Sequence, residues 1–287
     1  MNTVARPLPQ RAGPIRRTAH FDTSRSDPKW LYFAAALTLA FLALPMLALF
    51  ASTSPAHAYE ALASQITHKA LYLSVVTSTL STGVVVCLGG LLAYVLARND
   101  FPGRVLVDTL IDTPMVLPPM VTGLALLLFF GRNGPAGIFL AQHGISMSFS
   151  TTAVVLAQIF VSLPFFVRAA RAGFEGMDRK LEMASLLLGA SRLRTFLRVV
   201  VPCVWPTLVA GAVLAWARCL GEFGATLVFA GNFEGSTQTM PLAIFSALQD
   251  NMQLAVTMSL VLVLVSFALV VLLKVVSARY GTSHAAA

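Results

Sequence analysis

Two groups of ionisable residues in this chain could carry chemistry, and they differ in kind. The first is the run from Asp178 to Pro202, which sets Arg179, Lys180, Arg192, Arg194 and Arg198 against Asp178 and Glu182. Apolar residues recur within it at helical spacing: Leu181, Ala184 and Leu188, then Leu186, Ala190, Leu193 and Leu197. A basic surface with an apolar helical stripe can bind a partner protein, or it can be a cytoplasmic loop that obeys membrane topology rules. Gly189 interrupts the stripe, which predicts two short helices meeting at a bend. Pro202 is expected in the first turn of the next helix, where a missing N–H costs nothing.

The second group is Arg218 with Glu222, four apart and so on one face of a helix. They could form a self-satisfying ion pair that fixes a helix end, or an element of an anion pathway, since charges near membrane depth pair or face a cavity. Other reactive types offer less. Cys87, Cys203 and Cys219 lie in or beside apolar stretches without metal-like spacing and read as small buried hydrophobes. His20, His57, His68, His143 and His284 are scattered outside the apolar cores, so no metal ligand is assigned. The sequence contains no Gly-x4-Gly-Lys-Ser/Thr phosphate loop and no nucleophile–base cluster.

The elements that must position these residues are membrane spans. Of 287 residues, 57% are hydrophobic and 11% charged, against roughly 25% charged in soluble domains. The expected fold is an all-α polytopic membrane protein of six transmembrane helices with both termini cytoplasmic. Residues 1–29 read as a disordered basic tail and 30–279 as a single transmembrane domain, with 280–287 a C-terminal tail. Apolar stretches place spans at about 30–50, 70–97, 113–131, 150–167, 199–219 and 251–273. The first could be a signal peptide, given Arg16-Arg17 and Ala56-His57-Ala58, but its apolar run exceeds the ~7–15 residues of a signal core, so an uncleaved span is preferred. The third contains Pro114, Pro118 and Pro119, which predicts a break or kink. Carbonyls freed there survive at membrane depth only against protein or a wet cavity, so Pro118, Pro119 and Thr122 are pathway candidates beside the plain alternative of a kink.

Charge sets the expected orientation. With the N-terminus inside, 17 of the 20 Lys and Arg residues fall on the inner side, leaving Lys69, Arg132 and Arg218. That bias favours six spans. The +8 net charge therefore reads as topology and not as a nucleic-acid patch.

The Asp178–Pro202 run resembles the EAA loop of membrane subunits of bacterial ATP-binding-cassette importers. That pattern runs Glu-Ala-Ala, three residues, Gly, nine residues, then Ile-x-Leu-Pro. Here Gly189 is followed by nine residues and then Val199, Val200, Val201 and Pro202, while Met183 holds the usual Glu position, Ala184 and Ser185 follow, and Glu182 lies one place earlier. Further stretches are similar to molybdate importer permeases: Leu117-Pro-Pro-Met-Val-Thr-Gly123, Phe130-Gly-Arg-Asn-Gly-Pro135, Arg218-Cys-Leu-Gly-Glu-Phe-Gly-Ala-Thr-Leu-Val-Phe-Ala-Gly-Asn232 and Thr237-Gln-Thr-Met-Pro-Leu-Ala-Ile-Phe245. Sulfate/thiosulfate permeases share the Gly-Glu-Phe-Gly core.

The resemblance implies a MetI-like permease fold and an inner-membrane homodimer with its pore at the subunit interface. It also implies two cytoplasmic ATPase subunits and a periplasmic oxyanion-binding protein. A coupling role falls on Glu182, Met183, Ala184, Ser185, Gly189, Ala190 and Pro202, and pathway roles on Pro118, Pro119, Thr122, Arg218 and Glu222. The chain itself is expected to be non-catalytic and to bind no cofactor, with ATP and Mg used by the partner ATPase. Sulfate, thiosulfate or tungstate transport within the same family is the alternative. An ion-coupled secondary carrier fits less well, because apart from Glu222, near the end of the fifth span, the apolar spans contain no acid.

Overall fold

The computed structural model describes residues 29–54, 59–60 and 62–282. The expected tails at 1–28 and 283–287, the Ala56–Ala58 cleavage motif, and His20, His57 and His284 lie outside the described residues. Among the described residues all regular structure is helical. The chain divides into two units after Ala48.

The first unit carries most of helix α1, Lys29–Ala51, which is apolar on every side. Such a helix suits a lipid environment better than a water-facing surface.

The second unit, from Leu49 on, contains α2, Gln65–Arg98, whose 34 residues extend about 51 Å, more than a hydrocarbon core requires. A sharp reversal through Gly103 leads to α3, Arg104–Val116, and α4, Pro119–Phe130. The short α5, Pro135–Ala141, precedes α6, Thr151–Gly176. Then come α7, Arg179–Leu187, and α8, Arg192–Thr195, followed by a π turn, Phe196–Val200, that runs directly into α9, Val201–Leu220. The chain closes with α10, Gly224–Ala230, α11, Met240–Asp250, and α12, Met252–Thr282. Among the described residues five helical stretches are long and apolar enough to cross a membrane, and α3 with α4, bent by 117°, make a sixth if counted together.

The core forms where α2, α6 and α9 meet. Val85, Ala93, Leu96, Phe166, Val167, Phe174, Val200, Val204 and Ala215 bury there. Small residues allow that approach: a Cβ on Gly89 would come within 3.0 Å of Phe166, and one on Gly211 within 2.9 Å of Ala169. Without a hydrophobic driving force between helices in lipid, such close packing is what holds them together.

A polar seam crosses the same bundle. Ser81 of α2 donates to Gln158 Oε1 of α6 at 2.9 Å, and Cys219 of α9 lies 3.1 Å from Ser162 Oγ. Trp216 Nε1 donates to Thr79 Oγ1 at 3.4 Å.

Three expectations need correction. The break predicted for the third span is present, with Leu117 and Pro118 in extended backbone between α3 and α4, but the helix before it starts at Arg104 and not near 113. The α-helix of the fifth span, Val201–Leu220, carries Pro202 in its first turn as expected, but the π turn and α8 continue the helical rod back to Arg192. Of the three cysteines only Cys219 is buried; Cys87 and Cys203 are exposed on the outside of the unit. An apolar face turned toward lipid has the same composition as one turned inward, so the sequence could not separate them.

Candidate functional site

The Asp178–Pro202 run forms two helices around a bend, as its spacing predicts. Asp178 starts α7 by accepting the N–H of Lys180, and Ser191 starts α8 by accepting that of Arg194. Such caps satisfy N–H groups that a first turn leaves unpaired. Gly189 ends α7 at φ +84°, its N–H bonding Leu186 O while Ala190 N–H reaches back to Ser185 O. This paired closure needs a left-handed residue, which glycine supplies at no steric cost.

The outward face is apolar and basic. Leu187 and Leu188 are each 88% exposed, and Met183, Leu186, Leu193 and Leu197 are exposed beside them. Ala184 and Gly189 lie at the surface with Lys180, Arg192, Arg194 and Arg198, while Ala190 is half-buried. No residue of α7 is buried.

Glu182 and Ser185 turn the other way. Glu182 Oε1 accepts from Arg98 Nε at 2.9 Å and lies 2.8 Å from Nη2, with side chains only 9% (Arg98) and 14% (Glu182) exposed. Ser185 Oγ is 2.9 Å from Thr195 Oγ1, tying α7 to α8. The acid of the loop is thus committed to its own chain.

Pro202 is preceded by the π turn, in which Val201 N–H reaches Phe196 O. A proline inside a helix crowds the carbonyl four residues back, here that of Arg198, and has no N–H to donate to it. Widening the preceding turn is one way a helix absorbs that conflict.

The pathway candidates gather around the contact between α4 and α10. Pro118 and Pro119 are exposed at the bend and Thr122 is fully buried. A Cβ on Gly123 would lie 2.7 Å from the carbonyl oxygen of Ala225, and one on Gly224 would lie 2.8 Å from Pro119 Cβ. Backbone thus packs on backbone.

Glu222 stands at the entrance to α10. Arg218 Nη2 lies 2.8 Å from its Oε2, and Ala225 N–H donates to its Oε1 at 2.8 Å. Only 1% of the Glu222 side chain is exposed, against 27% for Arg218. The expectation of one shared helix face is corrected here: α9 ends at Leu220, and Glu222 lies in the turn beyond it. Its carboxylate joins the last turn of α9 to the first of α10. The hydroxyls of Thr122 and Thr226 are buried without a hydrogen-bond partner in this region.

One charged cluster was missed by sequence reasoning. On α3, Asp108 accepts from Arg171 Nη1 of α6 at 2.7 Å and Asp112 from Arg168 Nε at 2.7 Å. Arg171 also donates to Glu175 at 2.8 Å, and Arg104 pairs with both Asp100 and Glu175. Asp108, Asp112, Arg168, Arg171 and Glu175 line a cleft of about 320 Å³ with Leu96, Ile111 and Val167. The i, i+4 steps Arg104–Asp108–Asp112 and Arg171–Glu175 were the available signal. Among the described residues no group of three or more His, Cys, Asp or Glu is placed to hold a metal ion.

Comparison with known proteins follows from this geometry. The profile of a family described as "Binding-protein-dependent transport system inner membrane component" matches residues 85–282. A molybdenum transport system permease protein, ModB, of Mycobacterium bovis is 43% identical over 247 residues, covering 85% of this chain and 92% of the relative. A sulfate transport system permease protein, CysT, of Salmonella typhimurium is 37% identical over 215 residues, covering 75% and 76%. The crystal structure of a bacterial ABC transporter involved in import of the acidic polysaccharide alginate contains a chain of the same fold, with a TM-score of 0.68 at 20% identity over 88% of this chain and 96% of that one.

Proposed function

Because the chain belongs to the family of binding-protein-dependent transport system inner membrane components, we propose that it builds the translocation pathway for molybdate in an ATP-driven importer. The observation that carries the choice of substrate is the 43% identity to the molybdenum permease along nearly its whole length. The sulfate relative supports a second reading, in which sulfate or another tetrahedral oxyanion passes instead.

In this reading the chain is a non-catalytic subunit of the bacterial inner membrane and works as a homodimer. Two ATPase subunits sit on the cytoplasmic side and a soluble oxyanion-binding protein on the other. The absence of a phosphate loop from the sequence supports a separate motor, and the 17-to-3 distribution of Lys and Arg supports cytoplasmic termini. The apolar and basic face of Met183, Leu186, Leu187 and Leu188 is the surface offered to the ATPase, and Gly189, Ala190 and Pro202 shape it. Pro118, Pro119, Thr122, Arg218 and Glu222 lie around the α4–α10 contact, where the break between α3 and α4 would open beside the anion's path.

The test is transport in vesicles carrying the chain with its ATPase and binding protein. Molybdate uptake should require ATP on one side only, and a cysteine at position 185 should label from that same side. Uptake driven by a proton gradient without ATP would sink the importer reading. Stimulation of hydrolysis by sulfate-loaded but not molybdate-loaded binding protein would favour the second reading.

A further inference from the structure

The loop helix α7 has no buried residue of its own, and polar contacts tie it to its surroundings. Three such contacts are present. Ser185 reaches Thr195 within the loop. The other two end on the same place, the last turn of α2: Arg179 Nη2 donates to Ala97 O at 3.3 Å, and Glu182 pairs with Arg98. That turn is also held from its other side. The Tyr94 ring packs edge-on against Phe174, at the end of α6, with centroids 5.5 Å apart, and against Phe196 of the π turn at 4.8 Å.

From this turn α2 runs without interruption to the polar seam, where Ser81 meets Gln158 and Thr79 meets Trp216. Thr82 Oγ1 lies 3.9 Å from the sulfur of Cys219, next in sequence to Arg218. A push on α7 therefore has a continuous route through one rigid helix to the neighbourhood of the Arg218–Glu222 pair.

We propose that Arg98 and Glu182 are positioning residues for coupling: they fasten the partner-facing loop to α2 and take no part in contacting the ATPase. The proposal rests on the reading of the exposed α7 face as the docking surface. Both charges are nearly withdrawn from water, and a pair in that setting tolerates loss of one member poorly because the other is left unmatched. The polarity fits as well, since a cation at the C-terminal end of α2 meets the favourable end of the helix dipole.

The experiment uses the full chain produced with its ATPase and binding protein, in four forms: unaltered, Glu182→Gln, the exchanged pair Arg98→Glu with Glu182→Arg, and Leu187→Asp. Recovery of the ATPase on the purified permease reports docking. The ratio of ATP hydrolysis with and without loaded binding protein reports coupling. For Glu182→Gln, recovery should match the unaltered chain while the coupling ratio drops about tenfold. The exchanged pair should regain most of that ratio, and Leu187→Asp should lose recovery.

An unchanged coupling ratio in Glu182→Gln, or lost recovery in that variant, overturns the proposal. So does an exchanged pair that inserts but stays uncoupled. Should Glu182→Gln fail to insert, the exchanged pair decides: insertion with coupling supports the tie, and failure of both assigns the pair to folding and overturns it. If Leu187→Asp keeps full recovery, the docking reading itself fails, and that result is distinct from every outcome for the pair.

Discussion

The two sheltered Arg–Glu pairs invite comparison. Arg218 and Glu222 are four residues apart, and the pair closes a single local turn. Arg98 and Glu182 are 84 residues apart and join α2 to α7, a helix with no buried residue. In the first, Glu222 also accepts a backbone N–H of α10, so the carboxylate serves the backbone as much as its arginine. In the second the arginine supplies both contacts. A local pair fixes a shape, whereas a distant pair fixes a relationship between parts, and the two should fail differently when broken.

The largest effect is expected at the local pair. Glu222→Ala removes the partner of Arg218 and of the Ala225 N–H together, and breaking a buried pair from one side costs about 3–5 kcal/mol. Thermal unfolding of the detergent-solubilised protein should show a clear loss of stability along with reduced insertion. A midpoint equal to that of the unaltered chain would mean that the Glu222 carboxylate is dispensable, and would leave the distant pair as the stronger of the two.

An intermediate effect is expected at Gly189, where the loop can be strained without touching Glu182. Gly189→Val puts a β-branched side chain at φ +84°, with open space around its Cβ, so the cost is backbone strain of about 1–2 kcal/mol. Insertion should be normal while recovery of the ATPase falls. If recovery and coupled hydrolysis are both unchanged, the bend has no part in docking.

The smallest effect marks the baseline for both pairs. Lys69 and Glu234 form a bridge of 3.2 Å with each side chain about half exposed. Glu234→Gln should shift stability by less than about 0.5 kcal/mol. A larger shift in the same unfolding measurement would show that exposure does not rank the ion pairs of this protein.

This ranking also explains what was legible before the structure. The Gly189 bend, the apolar stretches and the Arg218–Glu222 contact all depend on residues near one another in sequence, where helical period and glycine chemistry act directly. Arg98 with Glu182, and Asp108 and Asp112 with Arg171 and Arg168, depend on which helices become neighbours; the i, i+4 steps of the second group hint at a charged face but do not name its partner. The bend at Pro118 was visible as a proline cluster. That α3 continues upstream of it as a helix was obscured by its acids, which read as loop until α6 neutralises them. Cys87 and Cys203 were misjudged for a different reason: lipid and protein interior select the same side chains, so hydropathy reports depth but not facing. Glu182 was assigned to the coupling loop by its position, and only the coordinates reveal that it points away from the loop's outer surface.

The π turn at Phe196–Val200 has a consequence for the orientation of everything before it. Each helical residue advances the chain by about 100° around the axis, so a turn that holds one residue more than its α counterpart acts as an angular offset between α8 and α9. Removing a single residue there would clock Arg192 and Leu193 to another side of the rod while α9 stayed seated against α6. The compass direction in which the loop presents its leucines is thus set by the count of residues in one turn, independently of how tightly any of them packs.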